Sequence, residues 1–322
     1  MRILTAAALC AALTPVPAFA CASCGCTFTS DWLSQGLMTQ PGQAITFRYD
    51  YVPQTRLQSG TETLDPKAIP LPSDREIERR TDNHYLTLAY DKQFASDWGI
   101  NVALPILWRP HRTIGEDTTS ETHSNGSGIG DVRIVARWQG LSRPGSVTGL
   151  QVGLTLPTGP FRRTFSSGPG AGEQVDRGLQ PGSGTVQAQV GAYHYRRLGS
   201  AVALIAQGQV HFALTSREDY RPGTFAEGSL SLQWLGLKLG STTGRVIPEI
   251  QINTRITARD SGAQADRENS GGEAVYLAPG MTAKLTPTLA VFANVQVPLY
   301  QRVNGYHLVP RVIGATGLQV RF

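Results

Sequence analysis

Apolar and polar residues alternate with a period of two along most of this chain. Val132, Ile134, Ala136 and Trp138 fall on one side of a stretch whose other side carries Asp131, Arg133 and Arg137. Leu150, Val152, Leu154 and Leu156 oppose Gln151, Gly153 and Thr155. Val246, Ile250, Ile252 and Ile256 oppose Glu249, Gln251, Asn253 and Arg255. Leu289, Val291, Val295 and Val297 oppose Asn294 and Gln296. Such alternation marks strands with two unlike faces. It predicts strands near 43–52, 81–93, 97–109, 128–139, 147–157, 184–196, 200–213, 224–237, 245–257, 274–285, 288–300 and 310–322. That is about twelve, each close to the ten or so residues a tilted strand needs to cross a bilayer.

The connections sharpen this picture. Those at 53–80, 109–127, 158–183, 214–223, 258–273 and 301–309 are long or polar, and those near 94–96, 140–146, 197–199, 238–244 and 286–287 are short. Long and short links alternate along the chain, as an up-and-down meander across a membrane requires and a Greek-key sandwich does not. The expected fold is an all-β, transmembrane antiparallel up-and-down barrel over 43–322, with short turns in the periplasm and long loops outside. An even strand number then puts both termini in the periplasm. Trp98, Trp138 and Trp234 fall at the short-turn ends of their strands, and Trp108 and Tyr300 at the long-loop ends. Two such girdles match the headgroup regions of a bilayer.

Composition excludes other classes. The 322 residues are 40% hydrophobic without several apolar runs of about 20, so a helical membrane protein is out. The net charge of +5 comes from scattered arginines and not from a basic block, which gives no footprint for nucleic acid. Met1 to Ala20 reads as a secretory signal, with Arg2 before an apolar core and Ala18-Phe19-Ala20 as the cleavage site. Residues 21–42 then form a cysteine-bearing periplasmic arm or plug.

The last stretch ends Gly317-Leu318-Gln319-Val320-Arg321-Phe322, with Leu318, Val320 and Phe322 on one face. It resembles the carboxy-terminal assembly signal of bacterial outer-membrane barrels, which implies the barrel-assembly machinery and outer-membrane lipid as partners. Further motifs are Gly128-Ile129-Gly130-Asp131-Val132, then Leu154-Thr155-Leu156-Pro157-Thr158-Gly159, then Gln180-Pro181-Gly182-Ser183-Gly184 leading into Gly191-Ala192-Tyr193. In this order they resemble the outer-membrane family named for the MetA pathway of phenol degradation, over roughly 85–285. The resemblance implies a porin-like barrel that passes small, often aromatic or apolar, compounds. It transfers no functional residue.

Candidate chemistry lies inside the barrel and on the arm. Arg48, Asp50, Asp131, Arg133, Arg137, Glu249, Arg255, Lys284 and Arg321 carry the charge of the expected lumen face; six of these nine are cations, so a pore lined by them leans toward anions. Cys21, Cys24 and Cys26 place three soft ligands in a C-x-x-C-x-C run. Thiolates so spaced suit Cu(I), Zn or an iron–sulfur cluster and a periplasmic metal or redox partner. The alternatives are a disulfide with one free thiol, or a lipid on Cys21. His123-Ser124-Asn125-Gly126 is similar to a segment of the outer-membrane phospholipase family, but there one residue separates His from Ser. Adjacent residues of a strand point to opposite faces, so an enzyme is not expected. The leading expectation is a channel for small solutes, aromatic or anionic. The alternative is a metal- or redox-linked membrane component, and a phospholipase-like enzyme stands third.

Overall fold

The computed structural model describes residues 40–235, 237–238 and 244–322. The signal segment, the arm up to residue 39 and the cysteines Cys21, Cys24 and Cys26 lie outside the described residues.

Twelve antiparallel strands close into one barrel among the described residues. They are β1 (Gly42–Gly60), β2 (Ile77–Gln93), β3 (Trp98–Trp108), β4 (Val132–Trp138), β5 (Ser146–Leu156), β6 (Gln187–Arg197), β7 (Val202–Ala213), β8 (Phe225–Trp234), β9 (Arg245–Thr257), β10 (Gly272–Lys284), β11 (Leu289–Pro310) and β12 (Ile313–Arg321). Each pairs with its sequence neighbours, and β12 returns to β1 from Ala44↔Arg321 to Tyr51↔Gly314. Closure leaves no row of unpaired backbone groups, which hydrocarbon would not tolerate.

The alternation sorts the two faces. Phe47, Leu88, Val152, Leu154, Val190, Leu230, Ile252, Val295 and Val320 point outward and are exposed. Their neighbours in sequence, among them Arg48, Gln151, Gln189, Gln251, Asn253, Gln296 and Gln319, point inward and are buried. Trp98 sits directly opposite Trp138 at the short-turn end, and Trp234 lies at that end too. Trp108 and Tyr300 are exposed toward the long-loop end. This is the apolar band flanked by aromatic girdles of a membrane barrel.

Three expected loops are structured. β1 and β2 run on to Gly60 and back from Ile77, and β11 continues to Pro310. Near Gly305, which has a φ of +56°, β11 reverses, so that residues 303–310 descend beside 54–60. Pro110–Ile114 and Glu121–Asn125 form a hairpin that carries the wall further. Above the lipid the outer face meets water, so the apolar-out pattern that marks a crossing strand is lost there. The apolar residues turn inward instead, where Leu57, Ile77 and Leu308 form a small core with Leu64 and Ile69. Glu78 braces this wall by accepting the Leu308 amide at 2.9 Å and meeting His307 Nδ1 at 2.9 Å.

Bulky interior rings pack over glycines directly opposite on the next strand. Tyr193 faces Gly149, and Phe292 faces Gly317. A Cβ at Gly317 would fall 2.4 Å from the Phe292 ring and 2.4 Å from the Phe47 carbonyl of β1. Gly317→Leu should therefore press on the β12–β1 seam and lower stability by about 1–3 kcal/mol. Urea titration read by heat-modified gel mobility checks this. Phe292→Leu in the same chain should restore part of the loss.

Candidate functional site

Among the described residues, the lower half of the lumen carries bonded and shielded side chains, and a cavity lies above them. Toward the short-turn end, Arg137 reaches Asp91 at 3.4 Å, and Asn101 donates to the same carboxylate oxygen at 2.7 Å. These three residues stand on β4, β2 and β3, and the alternation turns all of them inward. Gln233 donates to Glu249 at 2.9 Å, and Arg321 donates to Gln319 at 3.0 Å. Gln251, Asn253 and Gln296 at mid-barrel, like Gln319 below them, are almost fully shielded from water. Eight strands leave a bore that side chains fill and sixteen leave a channel, and twelve lies between.

Above them a cavity of about 310 Å³ opens among β1 to β9 and the loops at the long-loop end. Its charged groups are mostly paired. Arg48 and Asp50, two apart on β1 and so on one face, form a fork with contacts of 2.6–2.9 Å. Arg255 of β9 meets Glu227 of β8 at 2.7 Å, directly across the ladder, and Gln209 donates to Glu227 at 2.9 Å. Arg255 also lies over the Phe225 ring at 3.9 Å, and His211 stacks on that ring with centroids 4.3 Å apart.

The cavity roof is the connection from 157 to 186, which folds back over the mouth. Asp131, on the break between Gly128–Ile129 and β4, holds it. Its carboxylate accepts Gly159 N at 3.0 Å, Ser183 N at 2.8 Å and Ser183 Oγ at 2.8 Å. Thr158 Oγ1 donates to the Gly130 carbonyl at 2.9 Å, and Gly182 N to the Pro160 carbonyl at 2.9 Å. The chains approach so closely that a Cβ on Gly182 would lie 2.4 Å from the Gly159 carbonyl. The Gly128–Asp131, Pro157–Gly159 and Gln180–Gly184 motifs thus meet in one knot. Arg109 adds a second anchor, donating to Asn83 at 2.6 Å, to Tyr85 Oη at 2.6 Å and to the Gln180 carbonyl at 3.3 Å. A second connection closes the other side. There Asp260 accepts Tyr220 Oη at 2.9 Å and Gly223 N at 2.7 Å. Burial pushes the Asp260 carboxyl above the ordinary aspartate range, against the pull of those two donors.

The knot built by these motifs bears on descent. Residues 80–304 match the family model described as "Putative MetA-pathway of phenol degradation". The chain belongs to this family. No curated protein matches the sequence. Among solved structures, family residues and wall alike superpose on an outer-membrane channel from Pseudomonas putida F1, at 13% identity over 88% of this chain and 97% of that one, with a TM-score of 0.61. The transport unit of the autotransporter AIDA-I from Escherichia coli matches at 11% identity over 88% and 91%, with a TM-score of 0.52. At these identities the likeness is one of fold.

Of the nine interior charges expected from sequence, Arg48, Asp50, Asp131, Arg133 and Arg255 line the cavity, and Lys284 stands at the short-turn end opposite Arg245. Arg137, Glu249 and Arg321 lie below it. Asp131 is a loop anchor as well as a wall residue. Sequence reasoning missed His211 and Glu227, although strand parity with Gln207, Gln209 and Gln233 puts both inside. It also missed Arg177, Tyr220 and Asp260, which arrive from loops and carry no periodic signal. His123 and Ser124 occupy the rim hairpin on opposite faces; Ser124 is buried, and His123 is half-buried with Nε2 4.0 Å from Glu121. Among the described residues no cluster of three or more His, Cys, Asp or Glu is placed to hold a metal.

If Asp131 anchors the roof, Asp131→Ala should leave the barrel folded and free the 157–186 connection. A hydrogen bond to a charged group is worth about 1.5–3 kcal/mol, so trypsin should cut at Arg162 and Arg163 about tenfold faster or more. Limited proteolysis with heat-modified gel mobility as the folding control measures it.

Proposed function

We propose that the protein is an outer-membrane channel for small solutes, aromatic or anionic, entered from the long-loop end. One observation carries the reading: an apolar-sided closed barrel encloses a polar lumen with a solute-sized cavity beneath the loops. A lumen built only to stabilise a wall has no need of a hollow of about 310 Å³, which lies at the small end of ligand pockets of about 300–1,000 Å³. The other members of its fold quoted above include a channel by name, which favours the same class. The packed lower half makes this a restricted channel. Solute passage requires the amide and ion-pair layer beneath the cavity to rearrange.

The proposed orientation places the 61–76, 157–186 and 258–271 connections outside the cell and the short turns in the periplasm, following the rule for bacterial barrels. A cysteine introduced at Gly170 should react with a membrane-impermeant maleimide in intact cells, and one at Pro287 should react only after the cells are opened. The reverse pattern would invert the orientation.

In planar bilayers the purified protein should give small, brief conductance steps, and Asp131→Ala should give larger or longer ones because its roof is loosened. Silence from both proteins, with the barrel shown to be folded, would remove the channel reading.

A further inference from the structure

Among the described residues, the cavity holds one cation that its surroundings leave without an acceptor. Arg133 projects from β4 into it, between Ala103 of β3 and Thr155 of β5 in the ladder. Its Nε is shielded from water and has no hydrogen-bond partner. No carboxylate among the described residues lies within ion-pairing distance of its guanidinium. The carboxylates whose charge reaches it are Glu227 and Asp91. Glu227 is already bonded to Arg255 and Gln209, and Asp91 to Arg137 and Asn101. Arg48 is occupied by Asp50. Asp131 and Asp260, the remaining carboxylates of the cavity, are engaged by amide and hydroxyl donors of the roof. The residue is half-buried: its Nε is shielded without a partner, and its outer nitrogens face the hollow, where a bound acceptor would complete its hydrogen bonding.

The rest of the cavity describes the body that would carry this acceptor. Tyr85, His211, Tyr220 and Phe225 bring four rings to its wall, with Pro105 and Leu107 beside them. His211 Nε2 is also buried without a partner. Rings and apolar side chains suit a flat apolar solute, and a single planar guanidinium suits a single carboxylate through its two-pronged donor face.

We infer that the cavity is a binding site for small aromatic monocarboxylates, with Arg133 holding the carboxylate and the Tyr85–Tyr220–Phe225 wall holding the ring. This deepens the channel reading and rests on it for its physiological meaning; the binding itself does not. It joins the two properties, anionic and aromatic, in one ligand at one position.

The test uses the full chain purified in detergent, titrated calorimetrically with benzoate, with benzyl alcohol as the uncharged ring and with acetate as the charge without a ring. Benzoate should bind saturably, one per chain, at least about tenfold more tightly than either comparison ligand, which is the discrimination one desolvated charged contact provides. Arg133→Gln should reduce benzoate affinity by about tenfold or more and leave benzyl alcohol unchanged, and Arg133→Lys should recover only part, because the fork is lost. Arg133→Gln removes an unpaired cation, so the barrel should stay folded by heat-modified gel mobility. Should the variant fail to fold, the three-ligand comparison on the wild type still decides. Equal binding of benzoate and benzyl alcohol, benzoate binding unmoved by Arg133→Gln, or no saturable binding at all (water alone satisfying Arg133) would each overturn the inference. Bilayer recordings separate the two readings. Conductance with no preference for benzoate over acetate keeps the channel and removes the site, whereas Arg133-dependent benzoate binding without conductance keeps the site and removes the channel.

Discussion

Every other feature of this protein depends on the pairing of β12 with β1. A sheet in lipid has no water to satisfy its edges, so the backbone must close on itself or not cross at all. The eight register pairs from Ala44↔Arg321 to Tyr51↔Gly314 make that closure. Once the ring is closed, strand parity leaves no freedom about what lies inside. Each outward Val or Leu demanded by the bilayer fixes its neighbours as lumen residues, and a side chain that moved to the other face would carry a charge into hydrocarbon.

The interior therefore has to solve an electrostatic problem that the exterior sets. Arginines enclosed by the barrel must find acceptors within it. Most do: Arg48 with Asp50, Arg137 with Asp91, Arg255 with Glu227. Removing one member of such a pair would leave the other buried and uncompensated, at a cost of about 3–5 kcal/mol. The same arithmetic is why Arg133 stands out. It sits where the barrel is hollow, within the residues that match the family, beside the knot that ties the roof to the wall.

Much of this was legible in the sequence because the membrane imposes a strict code. Twelve strands, their order and their faces follow from alternation and from the rhythm of short and long links. The code stops at the water line. The outer parts of β1, β2 and β11 lack lipid-facing apolar residues, so 53–60, 77–80 and 301–310 look like polar loops although Leu57, Ile77 and Leu308 pack a core there. The cavity is only half readable for a similar reason. Arg48, Asp50, Arg133 and Arg255 follow from parity, and the same rule gives His211, two residues beyond Gln209, and Glu227, six before Gln233. Arg177, Tyr220 and Asp260 are delivered by irregular backbone, where no period exists to assign a face. Asp131 was visible as an interior charge, but its role as an anchor depends on Gly159 and Ser183, which are distant in sequence.

The two ion pairs at the upper and lower levels of the lumen differ in how they are wired. Arg48 and Asp50 belong to one strand, so they travel together when that strand tilts or slides, and their bond costs nothing to carry along. Arg137 and Asp91 stand on β4 and β2 with β3 between them, and Asn101 of β3 joins them. That arrangement is a strap across three staves. Parting β1 from its neighbours would leave the Arg48–Asp50 pair intact, whereas parting β2 from β4 would break the lower contact. The lower pair thus resists widening of the barrel at its own level, and the upper pair contributes nothing to that resistance.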